Sequence, residues 1–261
     1  MKTGPAPDPV RARGGGKLRP TLISIILVIV VWEILGRWVI NSDLIFPPLS
    51  DIVSRAFEMA ETGELWRHVS TSGSAFVIGY TIAVIAGVLL GLVLGLSRTV
   101  TSYVEPWLVA LYATPMIALA PIFIVLMGIG IYSKLTIICI EAFFPIAINT
   151  ALGIRSTDQG LVDASRAFGA TRRQTIMTVL LPFACPFIIA GMRIAVARAL
   201  AGVLVGEIFG SIAGVGNMIW FSAEAYDTPK LFTGVFILAG TSIVLMSLLA
   251  RLERLVAPWR N

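Results

Sequence analysis

Between Arg67 and Arg98 the chain contains no Asp, Glu, Lys or Arg. That run is longer than the ~20 apolar residues a helix needs to cross a bilayer. Within lipid the backbone has no water to bond to, so each such run must satisfy its own amides and carbonyls as a helix. Composition agrees: 57% of residues are hydrophobic and 13% are charged, about half the charge of an ordinary soluble domain. Comparable runs recur along the chain. They predict an all-α polytopic membrane protein with six transmembrane helices, at about 18–39, 69–97, 106–127, 131–153, 183–209 and 231–250. Gly128 and Gly130 supply the short turn between the third and fourth.

The ends and loops set the orientation. Residues 1–20 are rich in Pro, Gly and Arg and show no apolar period, which predicts a disordered tail. Arg11, Arg13, Lys17 and Arg19 precede the first apolar run as they would in a secretory signal. That run is too long for one, and no small-x-small cleavage site follows, so a retained first helix is expected. The membrane domain then occupies 21–253, with a short tail at 254–261. Basic residues favour the cytoplasmic side. Lys2, Arg98, Arg155, Arg166, Arg172, Arg173, Arg251, Arg254 and Arg260 fall on one set of loops and ends, together with the basic N-terminal residues. Arg37, Arg55, Arg67, Lys134 and Lys230 fall on the other, offset by Asp43, Asp51, Glu58, Glu61, Glu64, Glu224 and Asp227. Both termini and the loop 154–182 are therefore expected inside. The long outer loop 41–68 holds an amphipathic stretch, Asp51–Glu61, with Ile52, Phe57 and Met59 as its apolar positions. It is expected on the membrane surface or at a docking face.

Three features inside the spans point to packing and transport. Gly79, Ala83, Gly87, Gly91 and Gly95 form a small-residue stripe that admits another helix closely, within one bundle or at a dimer seam; bundle packing is favoured. Gly202, Gly206 and Gly210 form a second stripe. Pro106, Pro115, Pro121 and Pro145 free helix carbonyls that neighbours or a wet cavity must satisfy. Five charges, Glu33, Glu141, Arg193, Arg198 and Glu207, lie within spans, where each costs roughly 2.5–3.5 kcal/mol. Arg198 stands about 24 Å beyond Pro182 along a helix, deep in its span. Two readings stay open: Arg198, with Arg193, lines the path of an anionic solute, or Arg198 forms an interhelical ion pair with Glu141 or Glu207.

Several chemistries are excluded. Cys139 and Cys185 give neither a disulfide framework nor a zinc site, and His68 is the only histidine, so no metal cluster is expected. The net charge of +5 is spread over segment ends and gives no nucleic-acid patch. No GxxxxGK[ST] string is present to cradle ATP. No paired carboxylates or Ser/His constellation suggests hydrolysis, so the chain is not expected to be an enzyme by itself. Energy for transport must come from a partner or an ion gradient.

The polar stretch 158–182 has its own grammar. Asp158 is a good N-cap, followed by a short amphipathic run with Leu161, Ala164, Ser165 and Phe168 on one face and Asp163 and Arg166 on the other. Gly169 stops that helix. Thr171 and Gln174 make a capping box for a second helix, which Pro182 is expected to interrupt. Asp163-Ala164-Ser165, three residues, Gly169, nine residues, then Val179-Leu180-Leu181-Pro182 resembles the cytoplasmic loop of bacterial ABC importer permeases. Phe46-Pro47-Pro48, Gly63-Glu64-Leu65-Trp66, Pro115-x-x-Ala118-x-x-Pro121, Gly191-x-Arg193, Glu207 and Gly214-x-Gly216 make the chain similar to the nitrate, taurine and aliphatic-sulfonate branch of that family. Where branch members often carry Arg before the second segment, this chain has Ala75.

The resemblance implies a type I ABC importer permease fold with a cytoplasmic coupling helix pair, in a bacterial inner membrane. It implies that Asp163, Ala164, Ser165, Phe168, Gly169, Ala170 and Pro182 couple the chain to an ATPase subunit. It also implies a homodimer, an external solute-binding protein, and ATP and Mg bound by the partner ATPase, with no cofactor on this chain. A sulfonate, taurine or nitrate is the implied solute; a vitamin precursor, riboflavin or an aromatic acid is the alternative. A gradient-driven secondary transporter is the rival from another class, although no internal repeat of the kind common there is apparent. A membrane scaffold without a path is opposed by the prolines and deep charges.

Overall fold

The computed structural model describes residues 18–40, 42 and 44–256. Most of the predicted N-terminal tail, the end of the C-terminal tail, and Asp43 and Arg260 lie outside the described residues. All regular structure in the described residues is helical. The helices are α1 (Leu18–Ile34, continued by π-helical turns over Leu35–Ile40), α2 (Leu49–Glu61), α3 (Glu64–Leu96), α4 (Arg98–Ala113) and α5 (Met116–Met127). They are followed by α6 (Ile131–Arg155), α7 (Gln159–Ala167), α8 (Arg172–Thr175), α9 (Leu181–Gly210), α10 (Val215–Glu224) and α11 (Thr228–Val256).

Helix α6 is the axis of the bundle. Ala75, Ala83, Ile138, Ala142, Ile146, Ala195, Val196, Ala199 and Val203 form the core that α3, α6 and α9 share. The first glycine stripe meets α6 in a fixed register. Gly79 lies against Ile138, Gly87 against Ile146, Gly91 against Thr150 and Gly95 against Ile154, with one sequence offset throughout. A constant offset means that α3 and α6 run parallel. Against α9 the pairing reverses: Gly191 meets Pro145, Gly202 meets Ile138 and Gly210 meets Ser133, so α9 is antiparallel to α6. The stripes serve packing within one bundle, as favoured from sequence, and they let three backbones approach closely without a Cβ between them.

The parallel register decides the number of crossings. Five helices are long and apolar enough to span, and α4 with α5 makes a sixth only if the bent pair counts as one span. By the α3–α6 register, α6 begins level with Ser72, near the start of α3, whereas α4 begins beside the far end of α3. The chain between Leu96 and Ile131 must therefore travel back about 36 Å, the rise of the α3 turns in between. The bent pair is thus a crossing, and the bundle has six. Its bend of 97° falls inside the proline-containing segment expected over 106–127. The third crossing instead starts at Arg98 and breaks at Thr114 and Pro115, both extended. Pro115 causes this locally, since a proline pushes the preceding residue out of the helical region. Pro106, Pro121 and Pro145 lie inside continuous helices.

The end of the bundle where α3 begins is fastened by its short segments. Helix α2 packs against α3 and α11 through buried Ile52 and Met59, while Phe57 points outward, contrary to its expected place on the apolar face. Arg55 pairs with Asp227 at 2.8 Å, Lys230 with Glu64 at 2.7 Å, and Thr228 bonds to the Leu44 carbonyl. Glu33 near the end of α1 accepts bonds from Arg37 and from the backbone and hydroxyl of Ser50. Trp32 rests on Phe46, Phe232 and Phe236 and donates to the Pro47 carbonyl. So α1 is held at its C-terminal end, beside the start of α11. Crossing from there, α1 begins on the side where α11 ends, which is also the side of α7 and α8.

The glycine register makes a direct prediction. A Cβ on Gly91 would sit 2.5 Å from Thr150 Cβ and 2.6 Å from the Ala147 carbonyl, whereas one on Gly73 meets nothing within 4 Å. Gly91→Ala should lower stability by about 1–3 kcal/mol, the usual range for overpacking, and Gly73→Ala should not lower it. Thermal unfolding of both variants in detergent checks this. Equal melting temperatures would refute the register.

Candidate functional site

Two constellations are candidates for functional chemistry. The first is the helix pair α7–α8 at the end of the bundle where α1 begins and α11 ends. Asp158 caps α7, accepting from the Gly160 amide at 2.7 Å. Val162 is buried against the bundle, while Leu161 is half exposed and Phe168 is 92% exposed. Gly169 has φ +80°, its amide bonds to the Arg166 carbonyl, and the Ala170 amide bonds to that of Ser165. This crossed pair is the Schellman stop, and it requires the left-handed residue that glycine supplies without strain. Nothing lies within 4 Å of a Cβ built there, so backbone conformation alone selects glycine. Thr171 and Gln174 form a full capping box. Ser165 bonds to Thr175 at 2.8 Å, locking the two helices into one elbow. Gln159 bonds to Asp163, and Arg166 lies 3.8 Å from it.

Pro182 differs from its expected role. It does not interrupt the second helix, which continues from Arg172 to Gly210. A π-helical stretch, Ile176–Leu180, widens the turns just before it, which makes room for the proline ring and its missing amide inside the continuing helix. The elbow is thereby joined rigidly to a long spanning helix that packs along α6.

The second constellation lies half-way through the bundle. Arg198 on α9 bonds to Glu141 on α6 at 3.4 Å, and its guanidinium stands 4.8 Å over the Tyr112 ring on α4. The Arg198 side chain keeps 44% of its surface exposed while Glu141 keeps 13%. Tyr112 is close to the break at Thr114 and Pro115. Charge, aromatic ring and broken helix thus converge at one depth. Arg193, a little over a turn nearer the elbow, pairs instead with Glu253 at the far end of α11.

Glu207, grouped from sequence with these charges, lies elsewhere. It is fully buried, and both its oxygens accept from Ser72 at 2.9 Å. The Gly216 amide donates to it at 2.8 Å, and Lys134 Nζ lies 3.6 Å away. Lys134 is 4% exposed, so it is part of the bundle and not the outer-loop cation expected. Ser72 also accepts from the Val215 amide, and His68 bonds across to Gly214. A Cβ on Gly214 would overlap the Glu207 carboxyl. The network ties the loop after α9 and the start of α10 to α3 and α6. Sequence reasoning missed it, and it missed α10; the clue was Gly214-x-Gly216 following a lone buried acid.

The geometry is that of a polytopic bundle carrying a rigid external elbow, which is the class of transport-system membrane components. Comparison with known proteins agrees. Residues 79–260 match the family "Binding-protein-dependent transport system inner membrane component", and the chain belongs to that family. It is 34% identical to the formylaminopyrimidine transport permease protein of Halalkalibacterium halodurans, over 94% of this chain and 96% of that one. It is 32% identical to a Bacillus subtilis (strain 168) permease named for aliphatic sulfonates, over 97% and 93%. Among solved structures, an inward-facing conformation of the MetNI methionine ABC transporter shares the fold, with a TM-score of 0.66 at 22% identity, covering 74% of this chain and 95% of that one. The chain is therefore a multi-pass inner-membrane permease subunit of an ABC importer, with ATP hydrolysis on a separate subunit and a binding protein as a further partner.

The buried network yields a stability test. Glu207→Ala should cost about 3–5 kcal/mol, because it leaves Lys134 charged and buried without its partner. Adding Lys134→Met should recover part of that loss. Unfolding of the single and double variants in detergent measures both; a double variant no more stable than Glu207→Ala would show that the ion pair contributes nothing.

Proposed function

We propose that this subunit works as a homodimer, with α7–α8 and both termini in the cytoplasm, and that the elbow is the surface a partner ATPase grips. Asp163, Ala164, Ser165, Phe168, Gly169 and Ala170 would form the contact, and Pro182 would pass the motion into α9. The observation that carries this reading is Phe168, a large apolar side chain left 92% exposed at the tip of a doubly capped, rigid turn. Such a side chain suits a pocket on another protein. The chain would bind no cofactor of its own; ATP and Mg would sit on the ATPase.

For the solute, the first reading is a small anion such as a sulfonate, taurine or nitrate, passing Arg198 at the middle of the bundle. Supporting it are the exposure of Arg198 and relatives named for aliphatic sulfonates and, in Escherichia coli (strain K12), taurine. A second reading is a neutral aromatic solute such as a vitamin precursor. The pairing of Arg198 with Glu141 cancels its charge, and Tyr112 offers a flat face. Relatives named for formylaminopyrimidine and riboflavin transport belong with this alternative.

One reconstituted assay tests both levels. The permease, its ATPase and its binding protein are placed in proteoliposomes, and uptake and ATP turnover are measured together. Gly169→Trp should abolish solute-stimulated uptake while the protein stays inserted and the ATPase still turns over; normal uptake would refute the coupling role. Arg198→Gln should raise the apparent KM for an anion at least roughly tenfold, the scale of a lost charge-assisted bond. An unchanged KM would remove Arg198 from the path.

A further inference from the structure

The elbow has two sides, and the inner one encloses a basic cavity. It lies between α7, the α3–α4 junction and the end of α6, with a volume of about 640 Å³. A second chamber of about 430 Å³ adjoins it beneath α8. The two share Leu96, Val162, Arg166 and Leu180, so they form one continuous recess. Four arginines line it: Arg98, Arg155, Arg166 and Arg172. No Asp or Glu does.

Two of these cations are already occupied. Arg155 pairs with Glu105 at 3.1 Å and bonds to Thr101, and Arg166 pairs with Asp163. Among the described residues, Arg98 and Arg172 have no ion-pair partner. Arg98 on the first chamber and Arg172 on the second are exposed, uncompensated charges on an acid-free recess, a setting that suits an anion with phosphate oxygens.

The walls say which kind of anion. Leu96 and Leu180 come from the ends of spanning helices, so the recess opens at the level where a bilayer's headgroups begin. Val162, which lines both chambers, is buried, whereas Leu161 and Phe168 on the same elbow are exposed. The recess therefore lies between the elbow and the helix ends, and Ala170 is the one proposed ATPase-contact residue on its wall. We propose that it is a binding site for the phosphate headgroup of an anionic lipid, with Arg98 and Arg172 as its free cations and Leu96 and Leu180 against the upper acyl chain. A lipid seated there would brace the elbow against the membrane.

Native mass spectrometry of the full chain released from detergent tests this, using phosphatidylglycerol and phosphatidylcholine of identical acyl chains as probes. The expected result is selective retention of phosphatidylglycerol. Each of Arg98→Gln and Arg172→Gln should reduce retention about fivefold, the worth of one basic residue near an anionic headgroup. The paired Lys replacements should keep retention, as should Arg67→Gln at the other end of the bundle. Equal retention of the two lipids, or unchanged retention in both Gln variants, would overturn the site. Displacement of the lipid by millimolar inorganic phosphate would assign the recess to a free anion and overturn the lipid reading. Loss of binding in the Lys pair, with the charge kept, would overturn the expectation that a positive charge at these positions is enough to hold the headgroup.

Discussion

The contact on which the molecule depends is the close approach of α6 to both α3 and α9. Hydrophobic burial gives no advantage between helices in lipid, because the tails are as apolar as leucine; what remains is tight packing and the polar bonds it permits. Glycine at one-turn intervals allows that packing, and the fixed pairing of Gly79 through Gly95 with Ile138 through Ile154 sets helix direction as well as distance. Once α3 and α6 are parallel, the intervening chain must recross the bundle. It does so as a bent pair that places Tyr112 near the mid-depth charges. A packing rule thus fixes the topology, and the topology brings Arg198, Glu141 and Tyr112 together at mid-depth.

Polar groups then divide into two kinds by depth and exposure. Glu207 is enclosed, doubly bonded by Ser72, met by a backbone amide and faced by Lys134, so it fastens elements and faces no solvent. Arg198 keeps nearly half its side chain open and is held more loosely, at 3.4 Å from Glu141. The proposed path residue is the one left partly unsaturated, and the fastener is the one fully satisfied. The same contrast separates the elbow's exposed Phe168, proposed as the partner contact, from its buried Val162.

Much of this was legible in the sequence. The run lengths identified the spans, and the small-residue stripes identified the packing faces. Asp158, Gly169, Thr171 and Gln174 specified the elbow nearly to the residue, because caps and left-handed turns are local chemistry that does not depend on the rest of the fold. What was not legible depended on distant partners. Nothing near Lys134 signals burial; Glu207 and Ser211, brought close by the antiparallel approach of α9, make it tolerable. Among the four prolines of the third and fourth segments, only Pro115 coincides with a break, and the sequence alone does not rank them. Pro182 was read as a helix stop because its neighbours' π-helical turns, which accommodate it, have no sequence signature of their own.

The central claim is that the α7–α8 elbow is a cytoplasmic handle for a separate motor. Its most direct test is the accessibility of Phe168→Cys in a chain whose Cys139 and Cys185 are replaced by Ser, using a membrane-impermeant maleimide. The account predicts labelling in inverted membrane vesicles, no labelling in intact cells, and protection when the ATPase subunit is bound. Labelling from the outside of intact cells would contradict it.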